Sequence, residues 1–377
     1  MMRNFTLIHK NFGFGCMRLP MKENGEVDTE QFKEMADYFI ANGFNYFDTA
    51  HGYINGKSEL AIRECLTSRH ERSEYILTDK LTGSFFQKEE DIRPLFASQL
   101  KATGVDFFDF YLMHAQNSRE FEKFKKCRAY ETAFALKKEG KVKHVGISFH
   151  DKAEVLEQIL KEYPEIEIVQ IQFNYLDYED PSVESRKVYE VCEKYDKPVL
   201  VMEPVKGGNL VKLPEDAQKI IDQLGQNASN ASYAIRFAAS QKNVRVVLSG
   251  MSSLEQMKDN VSYMKDFEPL TEKEVSVLKQ VASVFKSAGM IPCTACHYCV
   301  EENHCPKHIQ IPELFAAYNA KNTFHDWNAD YYYNNVLTTD GHGTASECIK
   351  CGGCERVCPQ HLPIRALLSD VTKEFGK

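Results

Sequence analysis

A chain of 377 residues is longer than one typical domain, but it fits a large α/β barrel with a small appendage. Its hydrophobic content of 43% and charged content of 27% are ordinary for a globular protein. A formal net charge of -8, without a basic stripe, argues against nonspecific binding to nucleic acid. No apolar run reaches the ~18 residues of a membrane span, and residues 1–14 lack a signal-peptide core, so we expect a cytoplasmic protein.

Strand-like runs alternate with helical patterns along most of the chain. Residues 12–19 are predicted to form the first strand, and Asp28 or Thr29 to cap a helix that Gly43 ends. Later strand-like runs end near Asp48, Lys80, His114, Ser148, Gln172, Met202 and Ser249. Helical patterns lie between them at 58–68, 92–103, 130–139, 152–162, 185–195, 229–240 and 254–264.

This repeat predicts a (β/α)8 barrel, a TIM barrel, over residues 1–265. Intervals of about 33 residues fit one βα unit each, and the N-terminal strand brings the number of units to eight. An open doubly wound sheet is the alternative. The barrel is favoured by the repeat count and by the ionisable residues that close successive strands, since barrel active sites lie at the carboxyl ends of the strands.

Three successive strands lead into ionisable side chains: Asp48 with Tyr53, then Lys80, then His114. Reducing a carbonyl places negative charge on its oxygen, so a proton must be supplied there. We expect the ammonium of Lys80 to lower the pKa of Tyr53 from its usual value of about 10, and Asp48 to keep the lysine charged. His114 can orient the carbonyl. Singly, each residue has an ordinary structural role, such as a turn cap or a packed core histidine; together they predict a catalytic site.

The motifs Phe47-Asp48-Thr49-Ala50-x-x-Tyr53, Gly56-x-Ser58-Glu59, Lys80 and Leu112-x-His114 resemble those of the aldo–keto reductases over residues 12–264. The resemblance implies a barrel that binds NAD or NADP without a Rossmann fingerprint. It also implies a small-molecule carbonyl substrate, with Tyr53 as general acid. Asp48 and Lys80 would tune that acid, and His114 would position the carbonyl.

The resemblance also implies positions that bind the cofactor. They are Ser148, Gln170, Met202, Ser249, Gly250, Gln256, Asp259 and Asn260. Ser148 and Gln170 match the binders of the nicotinamide carboxamide, although Phe149 replaces the usual asparagine. Met202 stands where many members stack an aromatic ring, and a thioether can cover the nicotinamide by dispersion.

Towards the end of the barrel, Ser249-Gly250 offers backbone N–H groups that could hold a phosphate, and an ordinary helix start is the alternative. Asp259 and Asn260 match the acid–amide pair that binds adenine in the family. Gln256 stands where an arginine commonly grips the 2′-phosphate of NADP. The choice between NAD and NADP stays open.

Eight of the twelve cysteines crowd into the last part of the chain. A helical linker at 266–292, begun by a capping box of Thr271 and Glu274, leads to them. Their spacing is Cys293-x2-Cys296-x2-Cys299-x5-Cys305-Pro and Cys348-x2-Cys351-x2-Cys354-x3-Cys358-Pro. Scattered single cysteines elsewhere indicate a reducing compartment, so these eight are expected to be metal ligands rather than disulfides.

The second run has the full spacing of bacterial ferredoxins, and the first has two extra residues before its last cysteine. In such ferredoxins the fourth cysteine of each run binds the other cluster. We therefore expect two [4Fe–4S] clusters in a mainly α-helical, ferredoxin-like domain at 293–377. One would be held by Cys293, Cys296, Cys299 and Cys358, the other by Cys348, Cys351, Cys354 and Cys305. Structural zinc is the alternative.

The stretch between the two runs carries Phe324, Trp327 and Tyr331–333, which could fold over the substrate pocket or pack between domains. Three functions remain open at this point. The first is a carbonyl reductase coupled to, or regulated by, its clusters. The second is an electron-transfer protein, linked to a ferredoxin or another redox partner, whose barrel is a docking scaffold. The third is a redox sensor. A nucleic-acid or membrane partner is not expected.

Overall fold

The computed structural model describes Phe5 and residues 7–225, 228–339 and 341–376. By contact, the chain forms two compact units. The first comprises Met1–Pro204 and Ala231–Leu270, and the second comprises Val205–Asn230 and Thr271–Lys377.

The first unit is a closed barrel in which eight parallel strands follow one another in chain order. The strands are β1 (Phe12–Gly15), β2 (Tyr46–Asp48), β3 (Ile76–Leu81), β4 (Phe108–Gln116), β5 (Val142–Phe149), β6 (Ile168–Gln172), β7 (Val199–Met202) and β8 (Val244–Ser249). β1 pairs with both β2 and β8, which closes the sheet and excludes the open doubly wound alternative. The (β/α)8 prediction is confirmed, although β1 is shorter than expected.

Most of the helices that were predicted begin and end close to the expected positions. The described residues form helices between the strands and after the last strand. In chain order they are α1 (Thr29–Ala41), α2 (Lys57–Ile62), α3 (Glu89–Thr103), α4 (Ser118–Lys126), α5 (Ala129–Lys138), α6 (Ala153–Glu162), α7 (Ser185–Lys194), α8 (Glu215–Ile221), α9 (Asn230–Ala239), α10 (Leu254–Met264), α11 (Glu272–Ser287), α12 (Tyr298–Glu301), α13 (Ile311–Asn322), α14 (Ala329–Tyr332), α15 (Gly353–Val357) and α16 (Ile364–Phe375). Asp28 caps α1 by accepting from the backbone N–H of Gln31. The sequence did not indicate α4, α8, α12, α14, α15 or α16.

Alternate residues of each strand point into the barrel, and apolar side chains fill its lower part. They form one buried cluster of Phe5, Tyr46, Ile76, Phe110, Leu112, Ile168, Leu200, Val246 and Leu248. A Cβ on Gly146 would lie 2.6 Å from the backbone oxygen of Ile168, so the close approach of β5 and β6 requires glycine there. Nearer the carboxyl ends of the strands, most of the inward-pointing residues are polar. These residues form the candidate site.

The second unit is helical and has its own core. α11 begins with the predicted capping box, in which Thr271 and Glu274 each accept a hydrogen bond from the other's backbone N–H. It packs against α8, so residues 205–230, assigned by sequence to the barrel domain, group with the C-terminal residues. Tyr333, fully buried, stacks on Phe375 with ring centroids 4.1 Å apart. The cysteine runs lie between these helices.

Candidate functional site

The lysine near the end of β3 is buried against the aspartate that ends β2. Lys80 Nζ lies 2.5 Å from Asp48 Oδ1 and 2.7 Å from the carbonyl oxygen of Thr49. Gln170 on β6, across the barrel, donates from Nε2 to the other oxygen of Asp48 over 3.3 Å. Burial raises the pKa of Asp48, while Lys80 and then Gln170 oppose that rise. The ammonium is thus fixed in position, with its charge matched by one carboxylate.

The phenol of Tyr53, in the turn after β2, lies beside this pair. Lys80 Nζ is 4.9 Å from the Tyr53 ring centroid, and the rings of Tyr53 and His114 are 5.8 Å apart. Burial raises the pKa of Tyr53 well above its ordinary value of 10, and the charge of Asp48 adds to the rise. The net lowering expected from Lys80 is not found, because burial and the charge of Asp48 raise this pKa. Tyr53 is therefore protonated, and able to donate, throughout the neutral range.

His114 on β4 supplies a neutral imidazole. Its Nδ1 is 2.8 Å from Thr82 Oγ1. Burial lowers the pKa of His114 well below 6.5, and the positive charges of Lys80 and His150 lower it further. When the Thr82 hydroxyl donates to Nδ1, Nε2 carries the proton and can donate to a substrate oxygen. A register shift just after His114 leaves Ala115 in the left-handed region at φ 53°, so β4 is bent where this side chain points into the barrel mouth.

Sequence reasoning missed a second carboxylate at the barrel mouth. Glu203 directly follows β7, and its φ of 56° is unusual for a residue other than glycine. Its Oε2 accepts from Nε2 of the inward-pointing Gln172 over 3.3 Å, and its backbone oxygen accepts from Asn174. Its negative charge contributes to the raised pKa of Tyr53. The available signal was an ionisable residue immediately after a strand end, as at the other strands.

A buried acid pair also escaped the sequence analysis. Asp79 alternates with the inward-pointing Lys80 and is fully buried on the outer side of β3. Burial raises its pKa well above 3.8, and its hydrogen-bonded neighbour Glu59 raises it further. Glu59 is in turn 2.9 Å from Nδ1 of the partly exposed His51. These groups support the turn that carries Tyr53 without reaching the barrel interior.

The three residues predicted near the nicotinamide lie on neighbouring strand ends. Ser148 and Gln170 are paired in the register of β5 and β6, and Met202 is paired with Gln172 in that of β6 and β7. Ser148 Oγ accepts from the backbone N–H of Ala115 over 3.3 Å. The structure therefore brings Ser148, Gln170 and Met202 to one side of the mouth, with the amide of Gln170 already bonded to Asp48.

The remaining predicted cofactor residues gather around the end of β8, but several are engaged within the protein. Asn260 Nδ2 donates to Ser249 Oγ over 2.9 Å, and Asn260 Oδ1 accepts from the Tyr263 hydroxyl. Gln256 Oε1 accepts from the backbone N–H of Ser252, and the backbone N–H of Gln256 donates to Ser253 Oγ, the N-cap of α10. Asp259 precedes Asn260 on the same helix. The amides of Asn260 and Gln256 therefore shape this loop.

A basic residue absent from the sequence-based list lies beside Gly250. A Cβ added to Gly250 would lie 3.2 Å from Arg18 Cβ, and the backbone oxygen of Arg18 accepts from Ser252 Oγ over 3.1 Å. Arg18 follows β1, the strand next to β8 in the barrel. A cation therefore accompanies the backbone N–H groups at this end of β8, which suits an anionic group such as a phosphate.

Eight cysteines of the second unit line two pockets. The first pocket is lined by Cys293, Cys296, Cys299 and Cys358, together with Thr294, Gln360 and apolar side chains that include Phe315. The second is lined by Cys305, Cys348, Cys351 and Cys354, together with Ile309, Arg365 and Leu368 among others. Each pocket thus receives the fourth cysteine of the other run.

Each pocket has one buried thiol, that of Cys299 in the first and that of Cys354 in the second. Burial raises the pKa of Cys354 to about 11, and burial followed by the neighbouring Cys296 raises that of Cys299 further still. Thiols that resist ionisation become thiolate ligands only when positive metal ions balance their charge. In the described part of the chain, no three His, Cys, Asp or Glu side chains are arranged to hold a single metal ion. The donor set and the apolar lining fit an iron–sulfur cluster in each pocket.

Two family profiles match the sequence, one over the barrel part and one over the cysteine-rich part. The profile of the Aldo/keto reductase family matches residues 11–283, and that of the 4Fe-4S dicluster domain matches residues 292–363. Among the described residues, no helix is both long and apolar enough to cross a bilayer.

Curated relatives match the barrel part over most of their own length. The uncharacterized oxidoreductase YqkF of Bacillus subtilis is 23% identical over 300 residues, covering 71% of this chain and 90% of the relative. The NADH-specific methylglyoxal reductase of Escherichia coli is 23% identical over 309 residues, covering 70% and 91%.

Solved structures show the same barrel. An aldo-keto reductase of Bacillus halodurans in its holo form has a TM-score of 0.58 at 25% identity, covering 72% of this chain and 91% of that one. An aldo-keto reductase of Klebsiella pneumoniae in complex with NADPH has a TM-score of 0.59 at 17% identity, covering 72% and 90%.

Proposed function

This chain belongs to the aldo/keto reductase family, and from that premise we propose that it reduces a small carbonyl compound with NADH or NADPH, using Tyr53 as the general acid. The observation that carries the proposal is the position of Lys80. Its ammonium lies 2.5 Å from Asp48 Oδ1 and 4.9 Å from the Tyr53 ring centroid. An acid, its neighbouring cation and the carboxylate that fixes the cation are thus assembled at one end of the barrel.

The proposed chemistry requires one proton at a defined atom. When bound, the nicotinamide would supply the hydride that the carbonyl carbon receives, and the carbonyl oxygen would need one proton to become a hydroxyl. Tyr53 donates that proton, and Lys80 then stabilises the phenolate left behind. Neutral His114 donates a hydrogen bond from Nε2 that orients the carbonyl oxygen and stabilises the charge growing on it.

Ser148, Gln170 and Met202 would hold the nicotinamide, since they line one side of the same mouth. Arg18 and the backbone after Ser249 would hold the phosphates. Asp259 and Asn260 would meet the adenine. Carbonyl reduction measured with NADH and with NADPH decides which cofactor the enzyme prefers.

We further propose that residues 293–377 hold two [4Fe–4S] clusters, one in each cysteine pocket. The match to a 4Fe-4S dicluster domain and the crossed lining of the pockets by four cysteines each support this. When bound, such a cluster exchanges single electrons. The surrounding cysteines fix it, and the apolar side chains keep water from its sulfurs.

The acid role is tested with the anaerobic, iron-loaded full chain, using methylglyoxal, the substrate in the name of the Escherichia coli relative, and a panel of other aldehydes. Tyr53→Phe removes the transferable proton but keeps the ring, so kcat should fall about 100- to 10,000-fold with each reduced substrate. Tyr75→Phe is the matched control, because Tyr75 is buried just before β3, at the other end of that strand from Lys80. Carbonyl reduction that survives in Tyr53→Phe would overturn the proposal.

The cysteine pockets favour a second candidate, an electron-transfer protein that works with a ferredoxin or another redox partner. An anaerobic titration with NADH and with NADPH, followed by the visible absorbance of the clusters, separates the two. Bleaching means that hydride electrons reach the clusters. Aldehyde reduction without bleaching supports a reductase whose clusters serve another purpose. Bleaching by a reduced ferredoxin alone, without aldehyde reduction, supports the electron-transfer function.

A further inference from the structure

One of the eight cysteines that line the two pockets lies at the surface. Cys351 is exposed, whereas the other seven are buried or half-buried. It lines the second pocket together with Ile349, which is 57% exposed. Electron transfer slows steeply with distance, so an electron reaches a cluster fastest where one of its ligands comes to the surface. Cys351 therefore marks the shortest route between solvent and a cluster in the second pocket.

Exposed basic side chains accompany this cysteine. Lys307 lines the second pocket, and no carboxylate among the described residues lines it. Lys350 directly precedes Cys351 in the chain and is exposed. Arg356 is exposed as well, and its Nη1 donates to the carbonyl oxygen of Cys351 over 3.4 Å. We name these exposed residues the basic face: Lys307, Ile349, Lys350, Cys351 and Arg356.

The cations of the basic face are available to a partner. Within the described part of the chain, Lys307, Lys350 and Arg356 form no ion pair with a carboxylate. Arg365, which also lines the second pocket, differs from them, because it is paired with Glu355 at 2.7 Å. Three positive charges thus face solvent beside an exposed apolar side chain and an exposed cysteine.

We propose that the basic face is the docking surface for a small acidic protein that carries single electrons. This inference rests on the proposed [4Fe–4S] cluster in the second pocket. One electron leaves the carrier, which is oxidised, and enters that cluster, which is reduced; no bond forms or breaks and no proton moves. Ile349 supplies an apolar contact beside Cys351, and the cations select an acidic partner by charge complementarity.

The charge of the whole chain favours this place of docking. With a formal net charge of -8, the protein as a whole repels an acidic carrier, so a local cluster of cations orients the carrier towards Cys351. Transient redox complexes bury little surface, so a small face suffices. The first pocket offers no equivalent: among the described residues that line it there is no lysine or arginine, and none of its four cysteines is exposed.

The test mixes the anaerobic, iron-loaded full chain with an acidic flavodoxin in its hydroquinone form. Stopped-flow absorbance follows the flavin semiquinone that appears when one electron is transferred. In the wild type, raising NaCl from about 50 to about 500 mM should slow the transfer about tenfold or more. At the lower salt concentration, the double variant Lys307→Glu/Lys350→Glu should be slower by about tenfold or more and should lose most of its salt dependence.

Two controls separate docking from other effects. Reduced methyl viologen is a small molecule that needs no docking surface, so it should reduce the wild type and the double variant at rates within about twofold of each other. Lys273→Glu/Lys279→Glu makes the same change of net charge on the exposed side of α11 in the same unit. It should slow the transfer from flavodoxin by less than about twofold.

The single variants Lys307→Gln and Lys350→Gln guard against a folding failure. If the double variant loses iron, each of them should still slow the transfer about two- to fivefold. Equal slowing in the α11 variant or with methyl viologen would overturn the inference. So would a wild type whose clusters accept electrons from methyl viologen but not from flavodoxin. Wild-type protein without iron and acid-labile sulfide would instead contradict the proposed clusters, so the two failures are distinguishable.

Discussion

The ammonium of Lys80 and the carboxylate of Asp48 form a buried ion pair in the barrel mouth, with Lys80 Nζ 2.5 Å from Asp48 Oδ1. From the sequence, Lys80 was expected to lower the pKa of Tyr53, whereas burial and the negative charge of Asp48 raise it. The stability and the catalytic role of the pair can be measured separately.

Breaking this pair should destabilise the barrel. Asp48→Asn or Lys80→Met leaves the other group buried without its partner, and each should lower the free energy of unfolding by about 3–5 kcal/mol. The double variant should lose less than the sum, because neither charge then remains. Urea unfolding followed by far-UV circular dichroism measures this.

Glu139→Gln is the control for the ion-pair variants, because Glu139 forms an exposed pair with Arg93 and should matter little. Strictly additive losses in the Asp48 and Lys80 variants would mean that the two side chains do not stabilise each other.

The pH dependence of the free enzyme should be flat in the neutral range. Burial raises the pKa of Tyr53 well above 10 and lowers that of His114 well below 6.5. Both groups therefore keep one protonation state between these limits, and kcat/KM should change less than about threefold from pH 7 to pH 9. Steady-state kinetics in overlapping buffers, with Tyr75→Phe alongside, measure the profile. An apparent pKa near 8 that depends on Tyr53 would contradict this description.

Asp79→Asn should stabilise the protein, and increasingly so at higher pH. The folded-state pKa of Asp79 is raised above its unfolded value, so the folded form binds more protons and loses stability as the pH rises above about 4. The amide removes this penalty and can donate to Glu59, for a gain of about 1–2 kcal/mol at pH 8 and less at pH 5.

Thermal unfolding of Asp79→Asn at the two pH values tests the linkage, with the exposed Asp106→Asn as control. A variant that is less stable than the wild type at pH 8, or whose gain does not grow with pH, would show that Asp79 is not held in a protonated, buried state.

Losing one pocket-lining thiol should remove iron from one pocket. Cys299→Ser should lower iron and acid-labile sulfide to about half of the wild-type content. Cys127→Ser should leave both unchanged, since the Cys127 thiol donates to the backbone of Gln87 in the barrel, a bond that serine can keep. Bound zinc without labile sulfide in the wild type would favour the structural-zinc alternative.

The sequence predicted what its local periodicity encodes. Strand ends at Asp48, Gln172, Met202 and Ser249 follow from alternation and turn residues, and the barrel follows from their repetition. Contacts between distant segments carry no such signal. Residues 205–230 were placed with the barrel because they lie inside its span, although α8 packs on α11.

The candidate site was predicted only in part. Residues whose type is unusual at a strand end, such as Lys80 and His114, were found. Arg18 and Asp79 were missed, because their roles depend on neighbours from other strands and helices. Glu203 directly follows a strand end and could have been found by the same signal as Lys80 and His114. The roles of the predicted catalytic and cysteine residues stay predictions until the variants are measured.

Residues 205–230 belong to the second unit but lie within the barrel sequence. This limits how the protein can be cut into fragments or fused to other proteins. A cut at 270 would separate α11 from α8 and leave the apolar side chains Leu210, Leu213, Ala217 and Ile221 without the rest of their unit. A C-terminal fragment would also lack Asn209, whose Nδ2 donates to the carbonyl oxygen of Cys293 over 2.9 Å. The cysteine-rich part is therefore not a self-contained domain. A relative that acquired such a tail by gene fusion would also need a matching insertion after its seventh strand.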